Sequence, residues 1–156
     1  MYEYSIFWIK EEIANNYFHK SDLLYRFIYE YQRNHRRPDL KDQFNYITNS
    51  FSVSNLVTYL KTCRDLGFVG SEKISIRGNM VEIYLNEKYI SLQIKEKQLQ
   101  FVCKTLQDAE DLLFPLLRKF DNKLFVVGNN HRKFGWISPI QQLNVSLSGQ
   151  VLYSYP

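Results

Sequence analysis

The residues best equipped for metal or nucleophilic chemistry in this chain are three histidines, His19, His35 and His131, and two cysteines, Cys63 and Cys103. A metal site needs ligands at Cys-x-x-Cys or His-x-x-x-His spacing, so that one turn aims two lone pairs at one ion. Neither spacing occurs. The two cysteines are expected to be reduced core thiols, not a disulfide or a metal pair. Gly-x-Ser-x-Gly, the phosphate-binding Gly-x-x-x-x-Gly-Lys-[Ser/Thr] and His-Glu-x-x-His are all absent. Gly67-Phe68-Val69-Gly70 has the Gly-x-x-Gly form of a phosphate or RNA clamp, but a helix cap at Gly67 and a turn at Gly70 explain it more simply. Glu11 and Glu12 are neighbours on a helical pattern and point about 100° apart, which denies them the geometry of an acid–base pair. Their expected role is a favourable interaction with the helix dipole. The chain is therefore expected to be no enzyme, with no cofactor, no metal and no small-molecule substrate.

Binding chemistry is the remaining option. Lys and Arg number 20 and Asp and Glu 16, for a formal charge of +4. The excess is modest and spread along the chain. Its densest groups are Arg33, His35, Arg36 and Arg37, and then His131, Arg132 and Lys133. These are expected to be a solvated helix end and a loop. The alternative is a basic nucleic-acid-binding module that neutralises phosphates with them.

At 156 residues, with 12 Tyr and 11 Phe, the chain is long and aromatic enough for one stable core without staples. That composition excludes intrinsic disorder. The longest apolar stretch, Leu112 to Leu117, is broken by Pro115, whereas a spanning helix needs about 20 apolar residues. No membrane contact is expected. The start, Met1-Tyr2-Glu3-Tyr4, carries no basic leader pattern, and a cytoplasmic location is expected.

Residues 2–9 are aromatic and β-branched and predict a buried strand. Apolar positions 13, 14, 17 and 18 then mark one side of a helix. A second helix, capped by Ser21 or Asp22, carries Leu23, Leu24, Phe27, Ile28 and Tyr31 and ends between Asn34 and Pro38. A third begins at Asp39 with Leu40, Phe44 and Ile47. A fourth runs from Leu56 to Leu66 and stops at Gly67. The period then changes to two, and residues 73–103 predict a meander of three or four strands with tight turns at 78–79, 86–87 and 96–97. Asp108 to Phe120 reads as one amphipathic helix containing Pro115, which costs about 3 kcal/mol or forces a kink. Leu124 to Val127 is a continuous apolar strand, expected to be central. Phe134 to Pro139 is a short strand. Together these define one α/β domain over 1–139, a sandwich of mixed or antiparallel sheet and packed helices. Residues 140–156 form a tail, either an edge strand or mobile.

The first helix is the informative one. Ile13 and Tyr17 lie one turn apart on one flank; Ala14 and Phe18 share the adjoining flank. One flank can face the sheet and leave the other at the surface. An exposed aliphatic–tyrosine pair suits a protein partner.

Two strings resemble a known family. Ile9-Lys10-Glu11-Glu12-Ile13-Ala14-Asn15-Asn16-Tyr17-Phe18 is the first; Phe134-Gly135-Trp136-Ile137-Ser138-Pro139 is the second. Gln43-Phe44-Asn45-Tyr46-Ile47-Thr48 is a shorter echo. Together they resemble SirA, the sporulation inhibitor of replication of Bacillus-type bacteria. The resemblance covers about the first fifty residues and residues 124–139. It implies a single α/β domain and a non-enzymatic regulator that binds domain I of the replication initiator DnaA. It also implies that the partner surface includes Ile13, Tyr17, Gln43 and Pro139. Aliphatic Ile13 stands where the family has an aromatic, which implies a co-adapted partner. Asn16, with Lys10 or Lys20, would join Gln43 in the polar rim. No direct nucleic-acid contact is expected under this reading.

Overall fold

The computed structural model describes residues 1–67 and 73–137. Pro139 and the tail 140–156 lie outside these, as does Gly70. The chain opens with β1 (Tyr2–Trp8), α1 (Glu11–Tyr17), a 3-10 turn (Phe18–Lys20), α2 (Ser21–Arg33), α3 (Pro38–Ile47) and α4 (Val53–Asp65). Four strands follow: β2 (Lys73–Arg77), β3 (Met80–Leu85), β4 (Lys88–Ile94) and β5 (Leu99–Cys103). Then come α5 (Leu106–Leu112), α6 (Phe114–Phe120), β6 (Leu124–Gly128) and β7 (Phe134–Trp136). The protein is mixed α/β. Among the described residues the strands make a seven-stranded sheet in the order β2-β3-β4-β5-β1-β6-β7, and every pairing there is antiparallel.

The period-two pattern of β1 explains the layers. Tyr4 and Ile6 enter one core, beneath α4, α5 and α6. Phe7 enters a second, beneath α1, α2 and α3, together with Ala14, Phe18, Leu24, Ile28, Phe44 and Ile47. Successive side chains of a strand point to opposite faces, so β1 and β6 are covered on both sides. On β2 to β5 the alternation puts Ile74, Val81, Ile83, Ile90, Leu92 and Phe101 under α4–α6. The other side of these strands carries Ser75, Arg77, Tyr84 and Gln100, which are exposed or half-buried.

The chain changes sides at residues 48–52. The Asn49 N–H donates to the Trp8 carbonyl at 2.7 Å and the Phe51 N–H to that of Glu96 at 2.6 Å. Phe51 is buried against the Trp8 ring, 5.5 Å between centroids. The hydroxyl of Ser52 caps α4 by accepting from the Asn55 N–H. At the other end Gly67 has φ of 72°, a left-handed value that a side chain disfavours. Both cysteines are free and buried, and burial raises the Cys103 thiol to about 11, which keeps it unreactive.

Four expectations need correction. Asp108–Phe120 is not one helix: α5 ends at Leu112 and α6 restarts at Phe114, with Pro115 in its first turn. There a proline has no hydrogen bond to lose, so the break removes the cost of an internal one. Neither Ser21 nor Asp22 caps α2; both lie inside it, because the 3-10 turn feeds straight into the helix from Lys20. The third helix begins at Pro38, not Asp39. Finally β6 is interior but not central, with only β7 beyond it among the described residues.

Candidate protein-binding surface

α1 is only seven residues long and no side chain caps it. So short a helix is unstable alone, and its position comes from tethers. The Ile9 N–H donates to the Lys123 carbonyl at 2.9 Å, and the Lys10 N–H to the Ile47 carbonyl at 2.9 Å. Ile9 also bridges Thr48. The start of α1 is thus bonded to the end of α3. Beneath it Ala14 and Phe18 are fully buried, and Phe18 stacks on Trp136 at 6.1 Å.

That anchoring fixes the outer flank. Ile13 is half-buried against the second core. Tyr17, one turn on, is 37% exposed. Asn16 is exposed beside it, as is Lys20 in the following turn. The flank is an apolar strip with polar neighbours, held from below by side chains that make no use of its outer surface.

On α3, Leu40, Phe44 and Ile47 turn inward, fully or in part, while Gln43 and Tyr46, three residues apart, share the exposed face. Tyr46 is 63% exposed, and the Lys10 ammonium lies 5.2 Å from its ring centroid. Lys10 therefore joins the start of α1 to the exposed face of α3. The structure brings Ile13, Asn16 and Tyr17 together on α1 and places Gln43 on the helix bonded to it. Pro139 lies outside the described residues. The last described residue, Ile137, is buried, and its carbonyl accepts from Arg118 Nε at 2.6 Å.

Sequence reasoning missed Tyr46 as a surface aromatic. The signal was present: with Phe44 and Ile47 taken as inward, a residue 100° before Ile47 must turn away from them. Among the described residues no three His, Cys, Asp or Glu side chains gather as a metal site would need. Nor is any described helix long and apolar enough to cross a membrane.

By comparison, the family described as sporulation inhibitor of replication protein SirA matches residues 2–141 of this mixed α/β chain. A curated relative of that name from Bacillus subtilis (strain 168) is 21% identical over 151 residues, spanning 90% of this chain and 96% of the relative. The chain belongs to the SirA family.

Proposed function

We propose that this chain inhibits replication initiation during sporulation, without catalysis, by binding domain I of the initiator DnaA in the cytoplasm. Residues 1–139 act as one binding domain in this reading. The family name supports the inhibition. The observation that carries the binding mode is the division of α1: Ala14 and Phe18 are buried to hold the helix, and the Ile13–Tyr17 flank is left to the outside. Ile13 and Tyr17 are the anchors. Asn16 and Gln43, with Lys10 or Lys20, form the rim that keeps water from them, the arrangement found where a few residues carry most of the affinity, and the family resemblance adds Pro139 to the partner surface. Tyr46 extends the strip onto α3.

The mechanism is occlusion. A compact inhibitor seated on domain I denies that surface to helper proteins and to self-assembly of the initiator at the origin. No bond is made or broken. The test is a calorimetric titration of the full chain with DnaA domain I of the same organism. Saturable one-to-one binding is expected; no heat and no co-elution on gel filtration would overturn the proposal.

A further inference from the structure

The two basic strings are far apart in the chain, and the fold brings them to one place. Tyr25 of α2 stacks on Phe134 of β7, 4.3 Å between centroids and 11° between planes. This contact seats α2 against the last strand. The end of α2 and the β6–β7 turn consequently line one open groove of about 550 Å³, with Arg33 from the first and Arg132 from the second. Tyr29 lines it as well, and the Arg33 guanidinium lies over its ring at 4.4 Å. On the far side of the same Tyr29–Arg33 pair is a second hollow of about 510 Å³, where Gln32, His35, Gln98 and Gln100 supply amide and imidazole groups.

The ion pairs sort these cations. Arg26 is matched by Asp22 at 3.6 Å, and Arg37 by Asp39 at 2.7 Å and Glu30 at 3.8 Å. Glu30, the acid that lines the groove, is thereby already partnered. Arg33, Arg36 and Arg132 pair with no described carboxylate. A guanidinium presents a planar fork of donors that fits a phosphate through two bonds. An arginine stacked on a tyrosine beside a row of amides offers more than charge: the stack continues a base stack, and amides bond base edges. A concave groove of this size admits one strand; a duplex is a thick rod that meets a protein with its convex side. An acidic peptide would use the arginines but leave the amide hollow idle.

We propose that the groove between Arg33 and Arg132 binds single-stranded DNA. Initiation exposes such strands, so a replication inhibitor meets them where it acts. The site shares no residue with the α1 flank, and the proposal stands independently of DnaA binding.

The test is fluorescence anisotropy of a labelled thymidine 15-mer with the full chain at several salt concentrations. Binding at low salt is expected, with log K falling against log salt at a slope of about −2, since three arginines each contribute about 0.7 on single strands. Arg33→Ala with Arg132→Ala should weaken binding at least tenfold at low salt and flatten the slope by about 1.4. Arg36→Ala, in an adjoining hollow that Arg33 also lines and on an exposed loop where folding is not at stake, should flatten it by about 0.7. Tyr17→Ala should bind the 15-mer as wild type does. The proposal is overturned by no binding at low salt, by arginine variants that leave the slope unchanged, or by tighter binding of the matching duplex or a uridine 15-mer. Displacement of the 15-mer by an equal concentration of poly-glutamate would also overturn it, in favour of an acidic protein segment.

Discussion

The two helical layers cover the same sheet and are built differently. α4 and α5 each begin at a capping side chain, Ser52 and Thr105. Their layer is also tied laterally: the Tyr59 hydroxyl donates to the Leu116 carbonyl at 2.6 Å, and Arg118 meets Glu110 at 2.7 Å. Lys88 reaches up from the sheet to Asp111 at 2.6 Å. None of the largely exposed big apolar side chains lies within α4, α5 or α6. In the opposite layer no side chain caps the N-terminus of α1, α2 or α3, and the layer exposes Tyr17, Leu23, Tyr29 and Tyr46. One layer closes a core. The other closes a core and also presents aromatics to solvent, a use that stability alone does not require.

This contrast predicts opposite responses to truncation. The largest effect should come from the closed layer. Phe101→Ala removes a fully buried ring that stacks on Tyr4 at 5.0 Å and meets Phe114 edge-on. It should lower stability by about 3–5 kcal/mol, read by urea denaturation. Domain I affinity should not change while the variant remains folded. Tyr17→Ala should do the reverse, with a stability change within about 1 kcal/mol and a large loss of binding. A Tyr17→Ala chain that melts like the Phe101 variant would erase the distinction between the layers.

Much of the fold was legible in the sequence because periodicity is a local signal. The turns at Gly78-Asn79 and Asn86-Glu87 are two-residue hairpin loops, with Gly78 and Asn86 at positive φ. Spacing divided α1 into two flanks, and the burial of Ala14 and Phe18 shows which of them faces the sheet. What spacing could not show was which strands are neighbours. β1 lies between β5 and β6, with β7 beyond β6 against α2, and this brings Arg33 and Arg132 to one groove. The helix break at Leu113 was also hidden, because the apolar pattern of 109–120 continues across it while the backbone restarts at Phe114. Of the candidate surface, Ile13 and Tyr17 could be paired from their own helix, while Gln43 was implied by the family resemblance. Tyr46 needed a judgement about the opposite face of α3.

Smaller effects sharpen the comparison at the end of β6. A methyl group added at Gly128 would come within 2.6 Å of the His131 imidazole. Gly128→Ala should therefore cost about 1–3 kcal/mol, and the cost should shrink when combined with His131→Ala. A double-mutant cycle in thermal denaturation measures the coupling. Thr105→Ala should cost about 1 kcal/mol through the lost cap of α5, while no single capping side chain can be removed from α1 to the same effect.

His131 also gives a pH dependence. Burial, and next the nearby Lys133, push its imidazole below its ordinary value of 6.5. The unfolded chain then binds the proton more readily, so the contribution is fully present above pH 6.5 and is lost as pH falls through the lowered folded value. Stability measured from pH 7.5 to 5 should decline more for wild type than for His131→Gln. Parallel declines would show that the histidine does not contribute.

The central claim is that the outer flank of α1 binds a partner and does not hold the fold. The most direct measurement compares wild type and Tyr17→Ala by calorimetric titration with DnaA domain I, with circular dichroism on both. The account predicts matching spectra and a loss of about 2 kcal/mol or more, some thirtyfold in affinity. A folded Tyr17→Ala that binds domain I as tightly as wild type would contradict it.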